Sequence, residues 1–301
     1  MQLIYIMGRG RSGSTFVGGV LGQSPDIINV GELAYSMSGQ CGCAYPFSAC
    51  EFWRQVRAEF EQASSLDWDD SRRLIENQAH LAHFVCTRIA PDTAADVQAL
   101  RAVNEGLVRA IQRVSGKPYV LDTGKELTRA LFLMRHFPDA KFIHLIRSPV
   151  GFSASYLHRI KRTGVKMLRL KFHDSPLNAL FMVLVNLNWV VGNLLAECVR
   201  LLSPTRVLRV LYEDLCADPS HELRRIQTFL GCDLEPAIEA VEMHEPMDVG
   251  HIIGGNYRMH ESHTFVFDPH AGQKRPLSWG YKLMARLIGW PLMLRYGYLL
   301  K

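Results

Sequence analysis

The chain lacks the lysine that a nucleotide triphosphatase needs. An apolar run, Leu3-Ile4-Tyr5-Ile6-Met7, leads straight into Gly8-Arg9-Gly10-Arg11-Ser12-Gly13-Ser14-Thr15. The spacing of Gly8 and Gly13 is that of a phosphate-binding loop, but Ser14 stands where the lysine for the β- and γ-phosphates belongs. Ordinary nucleotide hydrolysis is thereby disfavoured, and what is left is a loop whose backbone N–H groups and helix start hold a phosphate-like group. Cysteine is sparse, seven in 301 residues, which excludes a disulfide scaffold. Excess charge is small: 34 Lys and Arg against 29 Asp and Glu, net +5. That suits an anionic ligand and is too weak to argue for nucleic acid. No secretory leader is expected either, because the N-terminal strand opens the phosphate loop and its removal would destroy the site; the expected location is cytoplasmic. No internal repeat or low-complexity tract is present. The longest apolar stretch, Leu177–Leu202, carries Asn178, Asn186, Asn188, Asn193 and Glu197. A bilayer tolerates such groups poorly, so the expectation is a buried helix of a large core.

What is there reads as strands alternating with helices. Apolar strand-like segments lie at 3–7, 27–30, 118–122, 141–147 and 207–212, and helical patterning fills much of the intervening chain, from Phe52 to about Val114, over 126–137, from Val150 and over 220–230. Such alternation implies βαβ units and a parallel sheet flanked by helices, here one α/β domain over residues 1–301. The segment from about 36 to 114 is an insertion, first Gly-, Ser- and Cys-rich, then helical, and is expected to shape an acceptor pocket.

Four points along this order carry chemistry. The first strand ends in the phosphate loop. The third long one ends in Ile146-Arg147-Ser148-Pro149, with Ser155 eight residues after Arg147, a spacing that sets a strand-end guanidinium and a helical hydroxyl near one anion. Another ends in Tyr212-Glu213-Asp214-Leu215, and near the C-terminus lies His251-Ile252-Ile253-Gly254-Gly255-Asn256-Tyr257-Arg258. Together these resemble the sulfotransferases that use 3′-phosphoadenosine 5′-phosphosulfate (PAPS) and release the bisphosphate PAP, and the resemblance runs from residue 1 to about 280. It implies a P-loop-hydrolase-like fold in which Arg9, Gly10, Arg11, Ser12, Gly13, Ser14 and Thr15 hold the 5′-phosphosulfate. It likewise implies that Arg147 and Ser155 hold the 3′-phosphate, with Tyr212, Asn256 and Arg258 completing the nucleotide site. The last segment is one residue short of the family pattern.

Arg11 stands where cytosolic phenol and steroid sulfotransferases carry lysine, so the chain is more similar to bacterial and Golgi-type carbohydrate and tyrosine sulfotransferases. Those place a glutamate soon after the first helix, and Gly31-Glu32-Leu33 matches that position; Asp122-Thr123-Gly124-Lys125 resembles a bacterial Asp-Ser-Ser-Lys segment. The resemblance implies Glu32 as general base, with Arg11 and Lys125 neutralising charge on the sulfuryl and leaving oxygens. The implied acceptor is a hydroxyl on a small molecule, lipid or carbohydrate, with no metal in the reaction and no nucleic-acid partner. Two rivals stand beside this reading: a P-loop nucleotide kinase, which would need Mg²⁺-ATP, and a non-catalytic nucleotide-binding protein of the same fold. Cys41, Cys43 and Cys50 offer three sulfurs without a local fourth ligand, so the loop is read as structural. Cys86, Cys198, Cys216 and Cys232 are read as small core residues, and His144 as a packed, hydrogen-bonded one. Six Lys and Arg between Arg159 and Lys171 read as a solvated helix face. The apolar, basic stretch 283–300 is expected to dock on the domain, with membrane-surface association as its alternative.

Overall fold

The computed structural model describes residues 2–34, 39–64, 66–77, 91–163, 165–167, 170–172, 178–255, 257–270 and 275–299. Five strands form one sheet: β1 (Gln2–Gly8), β2 (Ile27–Gly31), β3 (Tyr119–Lys125), β4 (Lys141–Ile146) and β5 (Val207–Leu211). Their order is β2-β3-β1-β4-β5, every pairing parallel. Parallel strands buried on both faces read as continuous apolar runs. That is why β1 shows Leu3 to Met7 without a polar break, all of them buried.

The helices are α1 (Ser14–Leu21), α2 (Glu51–Ala63), α3 (Trp68–Asn77), α4 (Ala95–Ser115), α5 (Leu127–His136), α6 (Pro149–Thr163), α7 (Asn178–Leu202), α8 (Tyr212–Ala217), α9 (Pro219–Leu230), α10 (Glu235–Glu242), α11 (Tyr257–Ser262) and α12 (Trp279–Arg295). Local chemistry sets several ends. In α9, Asp218 accepts from the His221 N–H at 3.0 Å, Pro219 opens the first turn, and Gly231 closes the last in the left-handed region. Successive β1 side chains face opposite layers. Leu3, Tyr5 and Met7 join Trp53, Val56 and Phe60 of α2 and the apolar faces of α4 and α5; Ile4 and Ile6 join α1, α9 and α10. A third cluster unites α6, α7 and α12.

Four expectations are corrected. The strand expected over 118–122 runs on to Lys125, which carries that lysine to a strand end. Tyr212 opens a helix rather than closing a strand, since Glu213 and Asp214 suit the positive end of α8. The helix expected to be buried at 177–202 is only half so. One side of α7 packs Phe181, Met182, Val185 and Trp189 inward, while Leu180, Leu187, Val191, Leu194 and Leu201 stand in solvent. By length and composition α7 alone among the described helices could cross a membrane, with 44% of its most apolar window buried. Cys198 shares its exposed side and is not a core residue, whereas Cys216 and Cys232 are buried; Cys86 lies outside the described residues.

The order reverses at β1: the chain leaves β1 towards β2 and leaves β4 towards β5. The loops at the carboxyl ends of these two strands therefore diverge and leave a crevice, the place where open α/β sheets take ligands.

Candidate active site

Each of the five strands delivers a side chain to that crevice. After β1 comes the glycine-rich loop. Gly13 has φ +98°, and a Cβ there would lie 2.5 Å from Cε2 of Tyr212, so only glycine lets the Tyr212 ring close over the loop. Ser14 starts α1 and is buried, and Thr15 faces the crevice. Arg11 sits at φ +78°, a costly left-handed conformation for a long side chain, and donates from Nε to Ser155 Oγ at 3.1 Å. Arg9 takes the other direction: its Nη2 donates to Asn188 Oδ1 on α7, away from the crevice.

After β2, Glu32 donates its N–H to the Ile253 carbonyl at 2.7 Å, and Ile253 donates to Val30 O at 3.0 Å. A strap around residue 253 thus continues the sheet edge and fixes the backbone that carries Glu32. Gly31, at φ +77°, accepts that strap closely; a Cβ would come within 2.2 Å of the Ile253 oxygen. After β3, Lys125 Nζ donates to Glu32 Oε1, both side chains being about six-sevenths buried (13% and 14% exposed). Lys125 too has positive φ, +69°. Its turn is braced from below: Asp122 Oδ1 accepts from the Gly124 N–H at 2.9 Å, and Asp122 Oδ2 pairs with Arg129 Nε at 2.8 Å. Arg129 also donates to Asn104 Oδ1 at 2.9 Å, and Tyr5 Oη donates to the Glu126 carbonyl at 3.0 Å. A fully buried ion pair is costly to break, so its placement under Lys125 makes this turn rigid.

After β4, Arg147 is 6% exposed, lies with its guanidinium carbon 4.8 Å from the Tyr212 ring centroid, and donates from Nη1 to the Arg11 carbonyl at 3.4 Å. Its own carbonyl accepts from Trp189 Nε1 at 2.9 Å, and Glu213 Oε1 accepts from the next residue's N–H. Ser155 stands on α6, as the spacing implies, and its Oγ accepts from Arg11 and also, at 2.7 Å, from Arg275 Nη1. Arg275 precedes Pro276 in an irregular segment 120 residues from Ser155, and sequence reasoning missed it. Arg159, read as part of a solvated face, instead lines the crevice from α6.

The cleft so formed measures 420 Å³ and adjoins a second space of 440 Å³, with Arg147, Tyr212 and Arg275 lining both. Together they fall in the size range of small-molecule and cofactor pockets. Electrostatics make it an anion site. Burial, then Arg159, Arg275 and Arg147, lower the Arg11 pKa to about 10. Four guanidiniums held this close repel one another unless an anion lies between them. Burial also pushes the Tyr212 phenol up, keeping it a neutral donor. The donor set fits a bisphosphorylated nucleotide: forks for phosphate, loop N–H groups, and a tyrosine face. Asn256 and the side chain of Arg258 lie outside the described residues; Gly255, just before them, lines the cleft. The basic stretch beyond 163 also lies partly outside them.

A parallel α/β fold with a lysine-free phosphate loop at its switch point and an arginine-lined cleft defines a class of group-transfer protein rather than a nucleotide hydrolase. The family model described as "Sulfotransferase family" matches residues 3–236, and the chain belongs to that family. It is 32% identical over 129 residues to the omega-hydroxy-beta-dihydromenaquinone-9 sulfotransferases Stf3 of Mycobacterium bovis and Mycobacterium tuberculosis. That match covers 42% of this chain and 32% of each relative, so the chain aligns with about a third of their length. Two solved folds are similar throughout. The sulfotransferase domain of the Synechococcus PCC 7002 olefin synthase has TM-score 0.50 and 16% identity, covering 97% of this chain and 94% of that one. Sulfotransferase STF9 of Mycobacterium avium has TM-score 0.50 and 15% identity, covering 97% and 76%.

Proposed function

We propose that this chain transfers a sulfuryl group from PAPS to an acceptor hydroxyl. The observation that carries the reading is the convergence of Arg11, Arg147, Arg159 and Arg275 on the cleft that also holds the Glu32–Lys125 pair. The arginines bind and orient the donor's phosphates. Loop N–H groups and the Ser14 and Thr15 hydroxyls take the 5′ end, and Arg147 with Ser155 takes the 3′-phosphate. The acceptor oxygen attacks sulfur in line, forming the new S–O bond as the bond from sulfur to the bridging phosphate oxygen breaks. Glu32 takes the hydroxyl proton, and Lys125 and Arg11 offset charge on the transferring and leaving oxygens. The products are a sulfate ester and PAP, so protons and charge balance without a metal. Positioning and electrostatics supply the rate, as in phosphoryl transfer.

For the acceptor, a hydroxylated lipid has the most support. The Stf3 relatives are named for a hydroxylated menaquinone, and this chain presents two solvent-facing apolar stripes on packed helices. Leu180, Leu187, Val191 and Leu194 line α7, and Trp279, Leu287, Trp290 and Leu294 line α12. Cytoplasmic membrane-surface docking through them would bring such an acceptor to the cleft.

Calorimetry with PAP in the absence of divalent metal, with Mg²⁺-ATP as control, tests the donor reading. PAP binding without metal is the expected result; binding of Mg²⁺-ATP alone would return the chain to the kinases. PAPS turnover against lipid, carbohydrate and small-molecule alcohols then identifies the acceptor, and PAP binding without turnover on any of them would favour the non-catalytic reading.

A further inference from the structure

The cysteine-rich loop finds its missing partner two hundred residues away. Cys41, Cys43, Cys50 and His251 bring their Sγ and ring-nitrogen atoms within 4.8 Å of one another. Cys41 and Cys50 are buried, and Cys43 and His251 half-buried. We propose that these four residues bind one structural zinc ion, which clamps the loop to the strap that carries the backbone of Glu32.

Three of the six donor–donor distances compare closely with the edges of a tetrahedral zinc site. With Zn–S near 2.3 Å and Zn–N near 2.0–2.1 Å, tetrahedral edges come to about 3.8 Å for S···S and about 3.5 Å for S···N. The structure has Cys43 Sγ to Cys50 Sγ at 3.5 Å, Cys50 Sγ to His251 Nδ1 at 3.4 Å, and Cys41 Sγ to His251 Nδ1 at 3.8 Å. Donor type agrees: three sulfurs and one imidazole form a Cys₃His set, and soft thiolates select zinc over magnesium or calcium. Four protein ligands leave no open position, so the site is structural rather than catalytic.

The surroundings are built for orientation. Trp53 Nε1 donates to the His251 carbonyl at 2.9 Å, and the Phe52 ring stacks on the imidazole with centroids 4.7 Å apart and planes 9° from parallel. The first contact fixes the backbone behind His251 and the second fixes the plane of its ring, with Nδ1 towards the sulfurs. Cys50 is the N-cap residue of α2, so the start of that helix fixes where its sulfur stands. Between Cys41 and Cys43, Gly42 lets the loop lie on the strap; a Cβ would meet the Gly250 oxygen at 2.5 Å. The Gly42 N–H donates to the Ile252 carbonyl at 2.9 Å, one residue from the Ile253 bonds that hold Glu32 and Val30. A disulfide explains the cluster less well, since pairing Cys43 with Cys50 would leave Cys41 and the aimed imidazole without purpose.

The test is metal content of the purified 301-residue chain, read without any acceptor, so its failure leaves the sulfuryl-transfer reading standing. Expected is about one zinc per chain, released when a mercurial blocks the thiols, and replaceable by Co²⁺ with the intense visible bands of a tetrahedral thiolate site. Cys50→Ser and His251→Ala should lose the metal, whereas His251→Cys, a Cys₄ site, and Cys198→Ser, remote on α7, should keep it. If Cys50→Ser does not fold, the mercurial titration and Co²⁺ spectrum of the unmutated chain decide alone. A folded chain that holds no zinc from zinc-supplemented medium and takes up no Co²⁺, or that yields a Cys43–Cys50 disulfide on unreduced digestion, would overturn the proposal.

Discussion

Replacing Arg147 by alanine separates an anion site from a basic surface. The guanidinium is buried beneath Tyr212, with its peptide neighbours bonded to Trp189 and Glu213, so the substitution removes the fork and leaves the strand end in place. Charge-assisted hydrogen bonds contribute about 1.5–3 kcal/mol each, and a phosphate held by two of them loses about 3–6 kcal/mol. Part returns, because Arg11 is relieved of one of the cations that lower its pKa; Arg147 is the smallest of its named causes, behind burial, Arg159 and Arg275. The net expectation is a loss of about 2–4 kcal/mol in PAP binding, roughly 30- to 1,000-fold in Kd. The same repulsion argument applies to the free protein. Without ligand, Arg147→Ala should unfold within about 1 kcal/mol of the unmutated chain, as a lost contact is offset by a lost like charge. Calorimetry and denaturant unfolding with and without PAP read both quantities. At PAP a hundredfold above the unmutated Kd, ligand stabilises that chain by about 2.7 kcal/mol and a hundredfold weaker variant by only about 0.4. Weakening of less than threefold, or a large loss of stability without ligand, would refute the assignment of Arg147 to the phosphate and leave it a packing residue.

Other predictions follow from the same geometry. Glu32→Gln should lower kcat by about 10²- to 10⁴-fold while PAP affinity stays within about threefold, measured with the acceptor that the turnover panel identifies; intact turnover removes Glu32 as the base. Gly13→Ala must displace the Tyr212 ring and strain a left-handed turn, so urea unfolding should show a loss of about 1–3 kcal/mol together with weaker PAP binding. His144 is wholly buried, donates from Nε2 to Asn193 Oδ1 at 3.1 Å, and has its pKa lowered by burial from 6.5 to about 4, against the pull of that hydrogen bond and of Glu197. Between those values the unfolded chain binds a proton that the folded one refuses, so stability falls as pH drops from about 6.5 to 4, by about 3 kcal/mol in all. Unfolding at pH 7 and pH 4.5 should show a steeper loss in the unmutated chain than in His144→Gln, and equal slopes would contradict it.

Legibility followed sequence distance. β1 could be read because a strand covered on both faces is apolar throughout, β4 and β5 because only His144 and Arg209 interrupt their apolar runs, and the phosphate loop because its glycines answer a local backbone need. Arg147 and Ser155 could be paired because eight residues span one strand end and the first turns of one helix. Tyr212 was placed on the wrong element, since a strand-end aromatic and a helix-start aromatic look alike in one dimension. Arg275 and Arg159 joined the cleft only through tertiary packing: one sits in an irregular segment, and the other in a charge run that a solvated face explains equally well. The histidine beside the cysteines escaped for the same reason, with two hundred residues between ligands of one cluster.

The strand order also sets the time at which this protein becomes competent. β1 precedes the other four strands along the chain, yet it lies at the centre of the sheet and pairs from Gln2 with Tyr119 and from Ile4 with Lys141. A nascent chain therefore carries a finished phosphate loop sequence with no sheet to hold it until β3 and β4 have left the ribosome. The cleft waits longer still, for Arg275. Partners spaced this far along the chain make folding slow, and an apolar central strand must be kept from other strands meanwhile. The residues of β1 are thus among the last to work, and a chain stopped before β3 and β4 would expose this apolar strand without any of the ligand affinity that could stabilise it.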